Sequence, residues 1–131
     1  MNKGIFLVIF FFAISCKREV TYVTANTPNY QQEWEQFKNS VLENKPIVWD
    51  TIIQIEGMNA SDYIPMLVND DAKNAWKNTT YQNMIEIDFF GKPVKVFQYQ
   101  QNLEDGSVEN QHFYFSETPR GLKMVGYLLK E

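Results

Sequence analysis

The stretch Ile85-Glu86-Ile87-Asp88-Phe89-Phe90-Gly91-Lys92-Pro93-Val94-Lys95-Val96-Phe97-Gln98-Tyr99-Gln100 carries the clearest period in the chain. Ile85, Ile87 and Phe89 alternate with Glu86 and Asp88, and Phe97 and Tyr99 alternate with Gln98 and Gln100. Period-two alternation is the mark of half-buried strands. Gly91-Lys92-Pro93 is the expected turn between them. Downstream, Glu104-Asp105-Gly106-Ser107 contains the Asp-Gly hairpin signal. Val108–Ser116 then sets Phe113 and Phe115 on one face, and His112 and Tyr114 on the other. Thr118-Pro119-Arg120-Gly121 has Pro at the second place and Gly at the fourth place of a type I turn, leading into Leu122–Lys130. Four strands joined by three short turns predict an antiparallel meander with one face open to water.

Upstream of Tyr81 the period is helical. Tyr30, Trp34, Phe37 and Val41 form one apolar stripe at i, i+4, i+7 and i+11. Thr27-Pro28 reads as a cap followed by proline at the first helical position, and Asn44-Lys45-Pro46 as the stop. Ile47–Gly57 suits either a short buried helix or a strand. Ser61 or Asp62 is the expected cap of a short helix carrying Ile64, Leu67 and Val68, with Pro65 in its first turn. Asn69-Asp70-Asp71 is the expected cap of another, carrying Ala72, Ala75 and Trp76. A long amphipathic helix, short helices and a curved four-stranded meander define an α+β fold. Element order over Tyr30–Glu131 resembles the NTF2-like and cystatin-like folds of small bacterial lipoproteins, in which the sheet wraps the helix.

The N-terminus reads differently. Ile5–Ile14 is an unbroken apolar run after a start whose one charged residue is Lys3. As a helix it rises about 15 Å, half of a hydrocarbon core, so it suits a secretory signal rather than a span. It ends at Ala13-Ile14-Ser15-Cys16, which resembles the lipobox of bacterial lipoproteins. That resemblance implies removal of residues 1–15, acylation of Cys16 and a membrane anchor in the bacterial envelope. Residues 16–28 would be the lipidated cysteine and tether, and residues 29–131 a single α+β domain. Residues 17–27 reach about 36 Å when extended; Val20 and Tyr22 equally suit a short edge strand. Lys17 follows the cysteine in place of Asp, which by the same resemblance favours the outer over the inner membrane.

Composition excludes more than it identifies. With one Cys and one His in 131 residues, there is no disulfide framework, no cysteine-based zinc site and no multi-histidine metal site. Sixteen acids against 12 bases offer no basic surface for nucleic acid. No phosphate-binding glycine loop, calcium loop or nucleophile elbow occurs, so no cofactor is implied. Asp50-Thr51-Ile52 resembles the Asp-Ser/Thr-aliphatic O-glycosylation site of some lipoprotein-rich bacteria.

Two functional readings follow. In the first, the protein is a non-enzymatic binding module for a protein, peptide or small apolar ligand. Its candidate binding residues are Phe90, Tyr114 and Tyr99, drawn from a sheet with aromatics on both faces; an aromatic-rich core accounts for the same composition. In the second, the NTF2-like resemblance implies an enzyme using His112 with Asp88 or Glu86 as an acid–base pair. The geometry around His112 separates them.

Overall fold

The structure, a computed structural model, describes residues 27–130. The expected signal peptide, Cys16 and all but the end of the tether lie outside the described residues. The body is α+β: four helices followed by a four-stranded antiparallel sheet in the order β1-β2-β3-β4. Helix α1 is Tyr30–Leu42, α2 Trp49–Ile52, α3 Ala60–Val68 and α4 Asp70–Asn78. The strands are β1 Ile85–Phe89, β2 Lys92–Asn102, β3 Val108–Thr118 and β4 Gly121–Lys130.

Helix α1 is capped by Asn29, whose side chain accepts the Gln32 N–H at 3.0 Å, two places later than the Thr27-Pro28 reading. Asn44, with φ at 54°, makes the left-handed exit that the stop signal implies. Ile47–Gly57 divides its behaviour. Trp49–Ile52 forms a single helical turn, and Ile53 then makes a parallel bridge to Met124. Helix α3 starts earlier than Ser61 or Asp62 would allow. Asn59 is its cap, and Asp62 serves by accepting the Asn59 N–H at 3.2 Å. Pro65 therefore sits past the first turn. Asn69 caps α4 through the Ala72 N–H at 2.8 Å, as the sequence suggests.

The core lies between the helices and one face of the sheet. Trp34 and Trp76 are fully buried and stack with ring centroids 4.6 Å apart. Phe97 lies 4.4 Å from Trp76, and Phe115 meets Trp34 edge-on at 5.2 Å. Each buried indole N–H is satisfied by a carbonyl: Trp34 donates to Thr79 at 3.0 Å and Trp76 to Leu67 at 2.8 Å. These rings order the helices on Phe97, Phe113, Phe115, Leu122 and Met124. The short helices depend on this packing, since two-turn helices do not persist alone.

The sheet's two edges differ. Along β4, Gln54 donates its N–H to the Met124 carbonyl at 2.8 Å, and Lys123 reaches the Thr51 carbonyl at 2.6 Å. The α2 segment thus covers that edge at Lys123 and Met124. At the other edge, β1 pairs with β2 alone among the described strands.

Candidate functional site

Strand alternation assigns every sheet residue to one of two faces. Phe97, Tyr99, Phe113 and Phe115 belong to the helix-covered face. Val94, Val96 and Tyr114 therefore point the other way, and they form a second buried cluster with Phe89 and Val125 against it. Ile85 and Ile87 stand opposite Val96 and Val94, so the apolar side of β1 also faces away from the helices. Ile85 remains 54% exposed and Ile87 37%.

Tyr114 is the centre of this cluster. Its ring lies 5.3 Å from Phe89 and over Gly126, where an added Cβ would come within 2.9 Å of Tyr114 Cδ2. The register slips by one residue at this point, between Tyr114 and Phe115, and glycine leaves the ring its space. Beside it a groove of about 450 Å³ is lined by Phe89, Phe90, Lys92, Val94, Thr118 and Val125.

Phe90 forms one wall of that groove. The turn is Phe90-Gly91 rather than Gly91-Lys92-Pro93, because Phe89 pairs directly with Lys92 and Pro93 already lies in β2 opposite Asp88. Both central residues have positive φ, 51° at Phe90 and 81° at Gly91, as a two-residue type I′ turn requires. Asn or Gly is the usual occupant of the first place; a bulky side chain there is strained. Phe90 is nevertheless 92% exposed, touching Phe89 at a ring separation of 4.8 Å. A two-residue interval ending in Gly between alternating runs was the sequence signal for this turn.

The other predicted site residues separate. Tyr99 is buried on the helix side: its hydroxyl donates to the Met66 carbonyl at 2.5 Å and accepts from the Asn69 amide at 3.0 Å. Burial raises its pKa by desolvation, against the opposing pull of the hydrogen bond from Asn69. It ties α3 to β2 and offers no binding surface. Tyr114 lies on the expected face but is buried beneath its neighbours.

His112 is not joined to either carboxylate. Its cross-strand partners are Gln98 and Leu128, on the helix-free face. Glu86 stands opposite Lys95, which stands opposite Phe115, so Glu86 belongs to the helix-covered side. Asp88, two residues along, shares that side. Opposite faces of one sheet keep the pair apart. The His112 pKa is lowered, first by desolvation and then by Lys130, with no carboxylate contributing. Among the described residues no group of three His, Cys, Asp or Glu side chains is placed to hold a metal ion. Thr51 is exposed and donates its hydroxyl to the Val48 carbonyl at 2.8 Å.

Comparison with protein-family models, with curated proteins and with solved structures finds no match.

Proposed function

We propose that this chain is a lipid-anchored, non-enzymatic binding module of the bacterial envelope. Acylation at Cys16 would hold it to the membrane, the outer in preference to the inner, and the helix-free sheet face would bind a protein, peptide or small apolar ligand. The anchor rests on the lone cysteine placed directly after the apolar run Ile5–Ile14. Two or three acyl chains, at ~0.8 kcal/mol per buried CH₂, make such attachment durable. Among the described residues no helix is long and apolar enough to cross a membrane. We assign the body to the NTF2-like or cystatin-like group on element order: helices first, then a four-stranded meander covered on one side.

The observation that carries the binding reading is Phe90. A strained backbone holds a large apolar side chain almost wholly in water, at the edge of an apolar groove. Such strain and exposure oppose stability, and outliers of this kind concentrate where function requires them. The test is a solvatochromic apolar dye titrated into wild type and Phe90→Ser. Saturable binding by wild type, weakened about tenfold in the variant, supports the reading; equal binding by both overturns the assignment of the groove.

A further inference from the structure

The structure assigns a partner chemistry to the outer edge of β1: we propose that it accepts an extended peptide in which apolar residues alternate with lysine or arginine. This rests on the binding-module reading and names the class of ligand. Four observations meet at that edge.

The first is backbone supply. A sheet edge presents N–H and C=O groups to any strand laid beside it. The β4 edge is met at Lys123 and Met124 by the Thr51–Gln54 segment, whereas β1 has β2 on one side and no described strand on the other. Within Ile85–Phe89 there is no proline and no lysine, and the register with β2 is unbroken; what guards this edge is its short length and the charges of Glu86 and Asp88, which an oppositely charged partner would neutralise.

Side-chain chemistry is the second. Ile85, Ile87 and Phe89 line one side of β1, and exposed Glu86 and Asp88 line the other. Among the described residues the one ion pair is Lys45–Glu43; Lys95 stands opposite Glu86 but holds its Nζ over the Tyr81 ring at 4.5 Å, and Asp88 stands opposite uncharged Pro93. A strand beside β1 places its own alternate residues opposite these two rows. Apolar residues would meet the isoleucines, and basic residues the acids.

Third, the same pattern disfavours a second copy. Antiparallel self-pairing centred on Ile87 sets Glu86 opposite Asp88, and centred on either acid it sets that carboxylate opposite its own copy. Like charges directly opposite are destabilising. Charge complementarity thus selects a basic partner over self-association. Finally, Phe90 stands at the end of β1 beside the groove, where a side chain of the added strand would find an apolar contact.

The test uses an end-capped octapeptide of alternating valine and lysine carrying a fluorophore, followed by anisotropy with the folded protein. Three comparisons accompany it: the peptide N-methylated at alternate amides, its glutamate-for-lysine counterpart, and the exposed-site variant Asp88→Lys, whose cross-strand neighbour Pro93 carries no charge. The expected result is saturable binding of the lysine peptide. Each of the two altered peptides binds at least tenfold more weakly, Asp88→Lys weakens the lysine peptide at least fivefold, and β1 amides gain protection from exchange. Equal binding of the N-methylated peptide overturns strand addition, as does a dimer that buries β1 in sedimentation. Failure of the peptide while the apolar dye still binds overturns this inference alone; failure of both overturns the binding-module reading with it.

Discussion

The Glu33 carboxylate accepts the Leu122 backbone N–H at 3.1 Å, joining the first turn of α1 to the start of β4 across 89 residues of sequence. The contact depends on the neighbouring residue having no side chain. Gly121 has φ at 112°, and a Cβ there would overlap the Glu33 carboxylate, reaching within 3.1 Å of its Cδ. Tyr30 reinforces the joint by donating its hydroxyl to the Thr118 carbonyl at 2.8 Å.

Gly121→Ala is therefore expected to destabilise the fold by about 1–3 kcal/mol, from backbone strain together with displacement of Glu33. Glu33→Ala should cost about 1–2 kcal/mol through the lost charge-assisted bond. Because the glycine substitution already breaks that bond, the double variant should lose less than both single effects together, by about 1 kcal/mol. Urea unfolding of the four proteins measures it; strict additivity would show that the two residues do not communicate.

Phe90→Asn should stabilise the protein while weakening the groove. Asn tolerates the left-handed backbone at a type I′ turn, where an ordinary L-residue loses about 1–2 kcal/mol. A thermal midpoint above that of wild type, together with weaker dye binding, is the expected pair of results. A lower midpoint would mean that the exposed ring holds the turn together.

Tyr99→Phe makes the opposite prediction. Removal of its hydroxyl leaves the Met66 carbonyl and the Asn69 amide short of a partner, at about 1–2 kcal/mol. Dye binding should be unchanged, since Tyr99 faces the helices. A binding defect without a loss of stability would return this residue to the site.

His112 should make stability depend on pH in one direction. Its folded pKa lies below the ordinary value, so the unfolded chain binds the proton more readily. The resulting stabilisation is complete above the unfolded pKa of about 6.5 and is lost as pH falls through the folded pKa. His112→Gln should remove this component from denaturation curves recorded between about pH 7.5 and pH 5. Lys130→Gln should raise the His112 pKa in NMR titration, since the Lys130 charge lowers it.

At the N-terminus, Cys16→Ala should abolish incorporation of labelled palmitate and release or misprocess the chain. Wild-type protein that takes up no label would end the lipoprotein reading and leave the fold untouched.

Much of the architecture is written in short-range chemistry. The alternation from Ile85 onward, the Asp-Gly pair at 105–106, the Thr118–Gly121 turn and the cap at Asn69 each act within a few residues, and each occurs in the structure. The Tyr30–Val41 stripe likewise needs only helical spacing to be seen, and Trp34 and Val41 are its buried members. Which side of an alternating strand is covered is another matter. Period two divides Ile85, Ile87 and Phe89 from Glu86 and Asp88 but carries no information on where the helices lie. Only the pairing of β1 with Val94 and Val96 turns those apolar residues away from the helices and sends the acids to the side opposite His112. Tyr99 and Tyr114 show the same division. Equally aromatic and both strand-borne, one braces a helix and the other closes the second cluster, because the register between their paired strands turns them to opposite faces of the sheet. Local residues determine the elements; contacts between residues far apart in sequence decide which faces are buried, and with them the candidate site.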